Sequence, residues 1–143
     1  MKRSKTSSLQ GLLRVRAVEE RVARRRLMAS QAELRGLEAR EEALRVQRDE
    51  SETYGGSLGL ALARGLEASR RGLEPRMRGC AQRRDRDAAS WREQRQQQQL
   101  TESVLERRRQ EIARVEARRE NQRIEELARA GRAVRERRIG SKR

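Results

Sequence analysis

The chain has 143 residues, of which 41% are charged, 34% hydrophobic and 1% aromatic, with a formal net charge of +15. Tyr54 and Trp91 cannot fill the core of an ordinary domain, whereas the dominance of Arg, Glu, Leu, Ala and Gln is that of a coiled coil or long helix. Histidine is absent and Cys80 is the single cysteine, so zinc sites, Ser-His-Asp triads and disulfide frameworks are excluded, and an enzyme is not expected.

In chain order, residues 1–8 read as a flexible polar N-terminus, with Ser7 or Ser8 able to cap the first helix. Residues 9–52 carry helical periodicity. Val15, Val18 and Val22 form a 3,4-spaced seam, and Leu27, Leu34, Leu37 and Leu44 continue it after a phase shift of the kind that locally unwinds a coiled coil. About 44 helical residues would extend roughly 66 Å. The sharpest break is SETYGGSLG at 51–59, where each of Gly55 and Gly56 costs a helix about 1 kcal/mol relative to alanine and Ser57 offers a new N-cap. Apolar stripes on both sides of so short a link, taken as 53–58, predict an all-α fold: a long antiparallel two-helix coiled-coil hairpin.

The second helix is expected over 59–137, longer than the first, with Leu62, Leu66, Ser69, Leu73, Met77 and Cys80 as its first seam. Pro75 predicts a kink or a full break. Gly65, Gly72 and Gly79 recur every seven residues, which either admits a close backbone approach or simply softens the helix, the second reading being preferred. Further on, Trp91, Leu105 and Ile112 are spaced by multiples of seven across a stretch free of proline and glycine, the mark of a narrow seam. Folding back at residue 55 leaves the helix beyond about Glu102 without an intramolecular partner, so Val104, Leu105, Ile112, Val115, Ile124 and Leu127 call for another protein or a second copy. Residues 138–143 form a basic tail.

The positive charge makes nucleic acid an obvious candidate, because basic surfaces gain affinity by releasing phosphate counterions. Acidic residues are interleaved with the arginines, however. The pairs Glu20 and Arg24, Glu41 and Arg45, Glu67 and Arg71, Glu74 and Arg78, and Glu125 and Arg129 stand at i, i+4, which suits a solvated helix surface better than a phosphate-tracking face. No apolar run is long enough to span a bilayer, and the N-terminus lacks the apolar stretch of a signal peptide, so a cytoplasmic protein is the default expectation.

The C-terminal half resembles the FliJ family of coiled-coil components of the bacterial flagellar type III export apparatus. The resemblance rests on Ser90, Trp91, Arg92 and Glu93, then Leu105, Glu106 and Arg107, then Glu120, Asn121, Gln122 and Arg123, closing in Glu125, Glu126, Leu127 and Ala128. Glu125 stands where the family has Asp, and Leu127 where it has an aromatic residue. The YscO-type injectisome stalk is similar, and Leu13 to Arg16 echo its N-terminal region.

What the resemblance implies is a non-enzymatic stalk and adaptor, without cofactors, that inserts into the hexameric export ATPase and promotes its assembly and activity. It would contact the cytoplasmic domain of the export-gate membrane protein and escort export chaperones, as a monomer, peripheral to the cytoplasmic face of the inner membrane and with no specific nucleic acid. The implied gate-facing residues are Val46, Asp49, Leu62, Leu66, Ser69 and Leu73. Leu105, Ile112, Ile124 and Leu127 are the positions that another partner, or the start of the first helix, is expected to cover. An arginine-rich nucleic-acid-binding hairpin and a generic self-associating coiled coil remain the rival readings.

Overall fold

Two glycines turn the chain. Gly55 and Gly56 have φ of 65° and 75°, a left-handed backbone that glycine reaches without the Cβ clash other residues incur. In the computed structural model, which describes residues 2–140 and the side chains of 7–139, helix α1 spans Lys2–Thr53 and α2 spans Gly56–Gly140. The backbone N–H of Tyr54 donates to the Ser51 carbonyl at 3.3 Å, which closes the last turn of α1. The connection is thus shorter than the expected 53–58, and Ser57, expected as an N-cap, already lies inside α2.

The result is an all-α two-helix hairpin, with 85 residues in α2 against 52 in α1. Helix α1 begins at Lys2 rather than Leu9, and α2 continues through 138–140; the rest of the expected basic tail, 141–143, lies outside the described residues. Pro75 sits exposed within α2, which runs on past it without the full break that was one expectation. Leu73 and Cys80 are buried on either side of it, and their burial offsets the hydrogen bond a proline cannot make.

The chain divides into two compact units, Leu12–Gln99 and Met1–Gly11 with Leu100–Arg143. In the first, the covered positions of α1 step by three and four without interruption from Leu13 through Ala23, Leu27, Ser30, Leu34 and Leu37 to Ser51. Those of α2 step likewise from Gly59 through Ala63, Leu73, Cys80 and Trp91 to Gln98. The expected phase shift between Val22 and Leu27 is therefore absent. Val15, Val18 and Val22 are exposed, and the true seam passes beside them through Arg16, Glu20 and Ala23. A register that stays in phase with Leu27–Leu44 keeps the covered positions on one stripe throughout this unit, which a local unwinding to bury three valines would interrupt.

This core is thin. Its buried apolar residues are Ala23, Leu34, Ala63, Leu73 and Cys80, and the buried hydroxyls Ser30 and Ser51 donate to the carbonyls three residues back, at 3.1 and 2.7 Å. Near the turn the helices approach closely: a Cβ on Gly59 would stand 2.8 Å from the Ser51 carbonyl oxygen. The septad glycines Gly65, Gly72 and Gly79, by contrast, have open space where a Cβ would be, so they admit no close backbone approach.

Candidate protein-binding surfaces

Polar seam positions hold the hairpin together where apolar ones are missing. Glu67 is the hub: it accepts from Arg70 at 2.9 Å, from Arg71 at 3.2 Å and, across the helix pair, from Arg48 at 3.1 Å, while Arg70 reaches back to Glu41 at 2.9 Å. Chiefly through the hydrogen bond from Arg70, with Arg48 and Arg71 adding to it against the opposing effect of burial, the Glu67 carboxyl is held down at about 2. Glu67 and Glu41 push the Arg70 guanidinium up in turn, and Asp49 followed by Glu67 does the same for Arg48. Further along, Arg83 pairs with Glu33 at 3.3 Å, and the indole N–H of Trp91 donates to Glu20 at 2.7 Å with the Arg95 guanidinium 5.7 Å above the ring.

Of the five i, i+4 pairs read from the sequence, Glu67–Arg71, Glu74–Arg78 and Glu125–Arg129 form. Glu20 and Glu41 instead turn across to α2, because both occupy seam positions and the far helix offers donors, while Arg45 pairs with Glu42. Cys80 is buried, and burial first, then the neighbouring Glu33, pushes its thiol up, away from the reactive thiolate form. Among the described residues no cluster of His, Cys, Asp or Glu could hold a metal ion, and no helix is long and apolar enough to cross a membrane.

The expected gate-facing residues do not share one surface. Leu73 is buried in the seam and Leu66 is half-buried there, so both belong to hairpin packing. Leu62, Val46, Asp49 and Ser69 are exposed; Asp49 accepts from Arg48 at 2.7 Å and the Ser69 hydroxyl donates to the Gly65 carbonyl. The covered seam of α2 thus passes through Gly59, Ala63 and Leu66 rather than Leu62 and Ser69. Around the turn the structure exposes a group of apolar side chains: Tyr54 at 82%, Leu58 at 73%, Leu60 at 53% and Leu62 at 52%. Leu58 and Leu62 lie one turn apart on one helix face.

The second unit contains the other surface. Leu105 is buried at 3%, and Ile112 is half-covered. The expectation that cover ends near Glu102 is corrected: α1 starts seven residues earlier than anticipated, which adds roughly 10 Å of helix to the unit that holds Leu105. Beyond Ile112 every described side chain to Ile139 is exposed, including Val115, Ile124, Leu127 and Val134. The next steps of three and four fall on Val115, Arg119, Gln122 and Glu126, all of them exposed.

Sequence reasoning missed Gly59, the small seam residues Ala23 and Ala63, and the exposed Leu58 and Leu60 of the turn. A signal for the seam was present. Counting back in sevens from Trp91 passes Arg84, Met77 and Arg70 and arrives at Ala63, but alanine and arginine do not announce themselves as seam residues. No protein family, curated protein or solved structure was found to match this chain.

Proposed function

We propose that this chain is a non-enzymatic, protein-binding coiled-coil stalk, and that its setting is a bacterial type III export apparatus. The observation that carries the reading is α2 itself. It remains helical to Gly140 although its seam ends at Ile112, and it leaves Val115, Ile124, Leu127, Val134 and Ile139 exposed among the described residues. An amphipathic helix of this length finds its stability in packing, so a partner is the natural completion.

The resemblance to the FliJ family supports the more specific role: a stalk entering the hexameric export ATPase, promoting its assembly and hydrolysis, and contacting the export gate and export chaperones. The YscO-type injectisome stalk is the alternative within the same class. From 106 to 139 the chain has twelve arginines and seven glutamates, a balance suited to an acidic protein surface, which would also steer association. The test is co-purification with the export ATPase of the same organism together with an ATP hydrolysis assay. Binding with stimulated turnover is expected, and the absence of both would overturn the export reading.

A further inference from the structure

We infer that this protein associates head to tail with itself, the turn of one copy accepting the C-terminal helical segment of a second copy. This goes beyond the stalk reading and does not depend on it.

The turn is chemically unlike the rest of the molecule. On a chain of net charge +15, the residues from Asp49 to Ala63 include Asp49, Glu50 and Glu52 and no lysine or arginine. Of the two flanking cations, Arg48 is taken up by Glu67 at 3.1 Å, Asp49 at 2.7 Å and Glu52 at 3.9 Å, and Arg64 is exposed beside Leu60. On this acidic end stand Tyr54, Leu58, Leu60 and Leu62, all more than half exposed. The turn is also tight: the left-handed Gly55 and Gly56 join the helices directly, and a Cβ on Gly59 would stand 2.8 Å from the Ser51 carbonyl oxygen.

The C-terminal segment has the opposite chemistry. Ile124, Leu127 and Val134 fall on one face, and from Ala128 to Ile139 five arginines stand against the single Glu136. At about 100° per residue, the centre of this stripe is rotated by roughly 60° from the Leu105 and Ile112 seam.

Charge decides among the pairings. Two tails packed stripe to stripe would bring Arg135 and Arg138 of both copies together, and two turns would oppose Asp49, Glu50 and Glu52. A turn against a tail joins apolar to apolar and acidic to basic, so each surface rejects its own kind and accepts the other. Such a contact is heterologous: the acceptor and donor left free at either end let the chain of copies grow. It departs from the monomer that the sequence reading expects.

The full-length protein is compared by sedimentation velocity from low micromolar to several hundred micromolar, at low and at high salt. One variant carries Leu58→Ser and Leu62→Ser; the other carries Ile124→Ser, Leu127→Ser and Val134→Ser. All five positions are exposed, so circular dichroism is expected to show unchanged helicity in both. The native chain is expected to form species that grow with concentration past the dimer, weakening at least tenfold in apparent affinity at high salt. Each variant alone stays monomeric, because it lacks one half of the contact. Mixed one to one, the two give a dimer and nothing larger, since only one competent turn and one competent tail remain. A native chain that is monomeric throughout, a variant that assembles alone as the native chain does, or a mixture that stays monomeric would each overturn the proposal.

Discussion

From Leu12 to Gln99 the covered positions of both helices run in unbroken three-four steps, and several polar side chains pair across the helices: Arg48 with Glu67, Arg70 with Glu41, Arg83 with Glu33 and Trp91 with Glu20. From Ala113 to Ile139 the same kind of sequence, rich in Arg and Glu with an occasional Ile or Leu, covers nothing. Composition scarcely separates the two regions. What separates them is the presence of a second helix in register, which turns a sparse heptad pattern into a core. An apolar stripe without that helix remains a surface.

The contrast is best broken at its apolar anchors. Leu73→Ala is expected to destabilise the hairpin by about 2–4 kcal/mol through lost burial and the cavity left behind, read from urea unfolding followed by circular dichroism. The matching change Leu127→Ala, at a residue 73% exposed, should move the same curve by less than about 0.5 kcal/mol. Equal effects would mean that the tail is covered after all.

A second pair of changes sharpens the same comparison on the backbone. Gly59→Ala drives a methyl group against the Ser51 carbonyl and is expected to cost about 1–3 kcal/mol. Gly72→Ala, helical and facing open space, should stabilise by about 0.5–1 kcal/mol. Thermal melts of the two variants should therefore shift in opposite directions.

Trp91→Phe keeps most of the ring's apolar contact but removes the donor to Glu20, with an expected loss of about 1.5 kcal/mol. As the only tryptophan, Trp91 in the native chain also gives a fluorescence signal for separation of the helices. That signal should change together with helicity during unfolding.

Acid provides the mildest probe. The Glu67 carboxyl, held at about 2 in the folded chain against 4.5 ordinarily, binds fewer protons folded than unfolded over that interval. Its contribution is complete above about 4.5 and declines as pH falls toward 2. Glu67→Gln is expected to flatten this part of the stability profile, and a profile as steep as that of the native chain would remove Glu67 as the hub of the polar network.

Much of the fold could be read from residue order alone. Gly55 and Gly56 between two helical stretches implied the hairpin, and Trp91, Leu105 and Ile112 marked a seam that the structure covers at all three positions. The valines misled. Val15, Val18 and Val22 satisfy a 3,4 spacing as well as the true seam does, and only the partner helix selects between two stripes on neighbouring faces. At the candidate surfaces, Ile124 and Leu127, expected to need cover, are bare, whereas Leu66 and Leu73, read both as seam positions and as gate-facing residues, lie in the hairpin seam.

Helicity, the place of the turn and the greater length of α2 were written into the sequence, because propensity, glycine conformation and chain length act locally. Which stripe became core, which carboxylates crossed to the other helix, and that Gly59 had to lack a side chain were decided only in the tertiary structure. Each depends on the distance to a residue on the opposite helix, and one helix read alone does not contain that distance.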